Sequence, residues 1–127
     1  MAIFLALLAT AILAGLAVFQ FALTCGAPLG RFAWGGKHEV LPSNLRVWSV
    51  ASILLYAIFA MFILSAASVV SIIPEGSLLR NGMIVFSGYF VLGTVVNLIS
   101  PSKPERLVMT PVAAVLAVTF LGVAFGV

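Results

Sequence analysis

Long apolar runs alternate with short polar breaks marked by glycine and proline along this chain. The first run spans about residues 2–24 and ends at Cys25-Gly26-Ala27-Pro28, residue types that stop a helix. At 1.5 Å per residue such a run reaches about 34 Å, enough for a hydrocarbon layer of about 30 Å. A second run covers 43–73, starting at Ser43, a good capping residue, and stopping before Pro74. A third covers 81–100 and stops before Pro101. The fourth, 102–127, has the best-marked start. Ser102-Lys103-Pro104-Glu105 fits the S-x-x-E capping box, with proline tolerated in the first turn. Pro111 inside this run removes a backbone donor and predicts a kink near residues 107–111.

The pattern predicts four spanning helices. The connections near Pro74 and Pro101 are short, so neighbouring helices must run antiparallel. The expected fold is all-α: an up-down-up-down transmembrane four-helix bundle in one domain, residues 1–127, with a loop over 25–42.

Composition supports lipid as the solvent. The chain is 64% hydrophobic and 7% charged, whereas soluble domains are about a quarter charged. In water such a surface would aggregate. Nothing basic precedes Arg31, so the first run lacks the n-region of a signal peptide and reads as a retained helix. The single cysteine, Cys25, allows no internal disulfide and no multi-cysteine metal site.

Charge sets the expected orientation. Arg31, Lys37 and Arg46 flank or occupy the first loop, and Lys103 and Arg106 follow the third run; only Arg80 lies near the second connection. By the positive-inside rule the first and third connections face the cytoplasm and both termini lie outside. The expected location is the cell (inner) membrane, crossed several times. The net charge of +3 suits anionic headgroups. No basic run or stacking platform suggests nucleic acid. Membrane lipids are the expected partners, with a homo-oligomer or a larger membrane complex also open.

The segment GAPLGRFAWGGKHEVLPSNLRVW (26–48) is the most unusual. It holds the sole histidine and both tryptophans, and its glycine and proline breaks are separated by apolar residues. It is expected either to lie on the interface or to dip between helices, where protein must shield its backbone. Trp34 and Trp48 as headgroup-level anchors are one explanation. A binding loop with Arg31, Trp34, Lys37, His38 and Glu39 at its mouth is the other. His38 and Glu39 also form the one candidate acid–base pair, but no nucleophile or second metal ligand accompanies them, which points away from an enzyme and names no catalytic or metal residue.

With orientation fixed, each helix offers a polar side chain in the cytoplasmic half: Gln20, Tyr56, Asn97 and Thr110. Facing inward, they would line a shallow cavity roofed by the first loop, and Arg31, Lys37, Arg46 and Arg106 would favour an anionic group there. Facing one another, they are interhelical glue, each worth roughly 0.6 kcal/mol. Gly88, Gly93 and Gly122-x-x-x-Gly126 invite close helix contact.

No acidic residue falls in the middle of the four runs, because Glu39, Glu75 and Glu105 lie in connections or at helix ends. Proton-coupled export through a membrane-embedded carboxylate is therefore not expected. The motifs of serine hydrolases, zinc proteases, P-loop proteins and c-type haem attachment are missing, and no cofactor is implied.

GAPLGRFAWGG, followed by Leu41-Pro42, resembles a signature of small bacterial integral membrane proteins, and GYFVLGTVVNLISPSKPERLVMTPVA (88–113) is similar to their second half. The resemblance implies a bacterial four-helix membrane protein and brings no activity or site. Two functions follow from the sequence. One is an accessory or structural bundle acting through helix packing, with a filled interior. The alternative is a binding protein for a small solute or lipid headgroup, or a transporter or channel, with a cavity in the cytoplasmic half.

Overall fold

The computed structural model describes residues 1–126 as four helices and no strand. They are α1 (Ala2–Thr24), α2 (Ser43–Ala66), α3 (Ser77–Leu98) and α4 (Lys103–Ala124). All four are long and apolar enough to cross a membrane. They alternate in direction, so residues 25–42 and 99–102 share one end, here the loop end. Residues 67–76 close the opposite end. α1 packs on α2 and α4, and α3 packs extensively on α4, whereas α2 and α3 meet over a much smaller area.

Helix bounds differ from the hydropathy pattern chiefly around the second connection. α2 stops at Ala66, not at residue 73, and α3 begins at Ser77, a turn before residue 81. The reason is hydrogen-bond supply. Ser68 takes a left-handed φ of 62°, the Val69 N–H donates to the Leu64 carbonyl at 2.9 Å, and the Ser65 hydroxyl accepts from the Ile73 N–H at 3.1 Å. These contacts satisfy the end of α2 and let the chain turn while it is still apolar. Hydropathy registers aversion to water, not where a backbone ladder ends. α4 starts at Lys103 and remains one helix through Pro111.

The main core lies in the half away from the loop end. Phe59 of α2 is buried. Its ring meets Phe86 at 4.7 Å, Phe90 at 4.9 Å and Phe120 at 6.1 Å, all edge-on, the geometry that ring quadrupoles prefer. Leu13, Ile63, Met83 and Leu116 fill the space around them. Gly82 lets α3 approach α2 here, because a Cβ at that position would overlap the Phe62 ring. Outside, Leu54, Val85, Leu92 and Val118 are each more than 60% exposed. Such a surface is stable against acyl chains, and helix packing rather than water exclusion then holds the bundle.

A second, smaller core sits at the loop end. Leu23, Ala33 and Leu41 are buried together, with Phe19, Leu29 and Leu45 against them. It belongs to the loop, which therefore has a folded structure of its own.

Candidate functional site

Two short 3₁₀ turns, Gly30–Phe32 and Trp34–Gly36, shape the loop. Its glycines are dictated by close approach. The Gly30 N–H donates to the Glu39 carbonyl at 2.8 Å, and a Cβ on Gly30 would overlap the His38 carbonyl. Gly36 has a left-handed φ and lies so close to Ser102 that a Cβ would collide with that side chain. Between them Trp34 itself adopts φ 53°, a strained conformation for a bulky residue, which costs of order 1 kcal/mol and must be held by its surroundings.

The surroundings are the start of α4. The Ser102 hydroxyl donates a short hydrogen bond to the Arg31 carbonyl. The Gly35 N–H donates to Glu105 Oε2 at 3.4 Å. The Trp34 indole N–H points to the buried Ser49 hydroxyl on α2 at 3.4 Å. The loop is thus tied to α2 and α4.

The capping box forms only in part. The Glu105 N–H donates to the Ser102 hydroxyl at 3.4 Å, but the Ser102 N–H goes to the Ser100 hydroxyl at 3.1 Å. Ser100 in turn donates a short hydrogen bond to Glu105 Oε1. Ser100 thus stands between the two partners and turns the carboxyl of Glu105 toward the loop.

Beneath the loop, a cavity of about 410 Å³ lies between the α1–α2 and α3–α4 hairpins, within the usual range for small-molecule sites. Its walls are mainly apolar: Leu16 and Phe19 of α1, Phe90 and Leu92 of α3, Met109 and Leu116 of α4, and Phe32 of the loop. Tyr89, Leu92 and Val96 line it and are also substantially exposed. The cavity therefore opens sideways along α3, on the side where α2 and α3 diverge. Gly93 keeps space there, since a Cβ on it would meet nothing within 4 Å.

Of the residues expected from sequence, Gln20, Trp34, Tyr56 and Asn97 come together on the cavity wall. The Gln20 amide donates to the Tyr56 hydroxyl at 3.4 Å, while its Oε1 is buried with no partner. Reversing the amide would exchange which atom is orphaned, not remove the orphan. Thr110 does not line the cavity; its hydroxyl is buried in α4 without a partner. Arg31, His38 and Glu39 are exposed and lie off the wall.

The expected cationic surround is also absent from the wall. The Arg31 guanidinium stacks on the Phe32 ring at 4.8 Å. Arg46 donates to the Leu41 carbonyl at 2.8 Å, and Arg106 to the Ser100 carbonyl at 2.9 Å. Lys37 is exposed. Arg46 fastens the loop and Arg106 the α3–α4 corner, and none of the four cations lines the cavity.

The charged residue that does line it is Glu105, only 7% exposed. The sequence reading placed this residue at a helix end, which is correct, and outside the interior, which is not. The capping motif was visible, but nothing in it reveals that Ser100 takes over the cap. Gly93 and Tyr89 were missed as wall residues for a similar reason: which face of a uniformly apolar helix turns inward depends on partners. Close helix contact, expected at Gly88 and Gly93, occurs at Gly82 instead, and a Cβ on Gly88 would also meet nothing within 4 Å. No group of three or more metal-ligating side chains occurs among the described residues.

Comparison with protein-family models, with curated proteins and with solved structures finds no match to this chain.

Proposed function

We propose that the chain is a membrane-embedded binding protein for a small, largely apolar solute, which enters sideways from the bilayer. The observation that carries this reading is the 410 Å³ cavity with its orphaned Gln20 amide atom. A bundle acting through packing alone has no use for a cavity of that size, because each unfilled space forfeits dispersion contacts. Nor does it gain from an unpaired buried amide, which costs about 1–3 kcal/mol. A solute with an apolar body and a polar end would fill the first and pair with the second. The lysine and arginine bias supports reading the loop end, and with it the cavity, as the cytoplasmic side of the membrane.

The test uses Trp34 as its reporter. In a Trp48→Phe background it is the one remaining indole. Bromine quenches a neighbouring indole, so 1-bromooctane in uncharged maltoside micelles should quench Trp34 saturably. Gly93→Phe, which fills open space, should abolish that saturation without loss of the fold. Unsaturable quenching that is identical in both proteins would refute the proposal.

A further inference from the structure

We infer that the cavity's preferred occupant is a monovalent organic cation, an amine or quaternary ammonium on an apolar or aromatic body, with Glu105 as its counter-charge. This rests on the binding role proposed above and narrows it to one chemical class.

Charge on the wall gives the first reason. Glu105 is the sole ionisable acid or base lining the cavity apart from tyrosines, and it is 7% exposed. No salt bridge involving it forms among the described residues. Arg106 donates to the Ser100 carbonyl and Arg31 stacks on the Phe32 ring. Burying a carboxylate is expensive unless it is paired and hydrogen-bonded. Ser100 and the first turn of α4 supply part of that compensation, but Oε2 has only the long contact from the Gly35 N–H at 3.4 Å. An anionic occupant would add a second uncompensated charge beside it. A cationic one would complete the pairing.

The second reason is independent of Glu105. The Arg31 guanidinium already stacks on the Phe32 ring, but the aromatic rings of Trp34, Tyr56 and Tyr89 belong to the wall of the same space. The face of such a ring attracts a cation, most strongly where water is excluded. The apolar helix walls then accept the body of the ligand, and the lateral opening along α3 suits a molecule that dissolves in the bilayer.

The pair benzyltrimethylammonium and neopentylbenzene separates charge from shape, since one carries nitrogen where the other carries carbon. Each is titrated as a competitor of 1-bromooctane quenching of Trp34 in the Trp48→Phe protein, in maltoside micelles. The cation should compete at least about tenfold better than its isostere. Glu105→Gln, which keeps the acceptor for Ser100 but removes the charge, should erase that preference, so that the two compounds compete alike. Equal competition by both compounds in the Trp48→Phe protein overturns the cation assignment, whether or not the glutamine variant folds, and leaves the cavity reading standing. A preference that survives Glu105→Gln overturns the role of the carboxylate. Quenching by 1-bromooctane that never saturates removes the cavity reading, and this inference with it.

Discussion

The two ends of the bundle solve the same packing problem in opposite ways. At the end closed by residues 67–76, α2 and α3 meet through Phe59, Phe62, Phe86 and Gly82, and the interior is filled by rings. At the loop end the same two helices diverge, and a folded loop covers the gap without filling it. The filled end shows how a small chain packs in lipid with no ion pair among the described residues. The open end shows where it departs from best packing, and there several hydrogen bonds are long, an amide atom is orphaned and a carboxyl is buried.

Substitutions can test this contrast. The largest effect is expected from Phe59→Ala, which removes the centre of the aromatic cluster. It should cost about 3–5 kcal/mol in unfolding free energy, measured by reversible denaturation in mixed micelles, while 1-bromooctane still quenches Trp34 saturably in whatever fraction stays folded. If ligand competition collapses first, the two ends are not separable. Gly30→Ala should come next, at about 2–3 kcal/mol, because its Cβ meets backbone rather than a movable side chain. Its damage should be local: faster hydrogen exchange over residues 30–41, with the Phe59 region still protected.

Ser100→Ala should cost about 1–3 kcal/mol, as it removes the donor to Glu105 and the acceptor for the Ser102 N–H together. Proteolytic sensitivity of the loop reports it, and an unchanged digestion rate would mean that Ser100 does not hold the cap. The smallest effect is Gly93→Ala. With nothing within 4 Å of the new Cβ, it should stabilise α3 by about 0.5–1 kcal/mol, seen as a modest rise in Tm. A fall would mean that this stretch of α3 is packed rather than open.

The filled end was the less legible in sequence, although its residues are the more ordinary. Nine phenylalanines in apolar runs do not reveal that five of them cluster, because helices that are apolar on every side carry no stripe to mark their inner face. The number of helices and their approximate ends were legible, since glycine, proline and serine punctuate the runs. The polar quartet was half legible as a site. Gln20, Tyr56 and Asn97 share the cavity, whereas the Thr110 hydroxyl is buried off its wall without a partner. The charge picture failed for a physical reason. The arginines near the loop find backbone carbonyls and a ring within a few residues of themselves, while the glutamate, shorter and already at a helix start, is carried inward by Ser100.

The hydrogen bond from Ser102 to Arg31 joins residues 71 positions apart. A chain inserted from its N-terminus must therefore carry residues 25–42 through synthesis of two further helices before their fastening arrives. During that interval Trp34 lacks the restraint that keeps it left-handed, and the α1–α2 hairpin already has its lateral neighbours in lipid. The roof thus sets only once the start of α4 has been made, and a ribosome-stalled chain ending before Pro101 should expose it to protease while the first two helices are already protected.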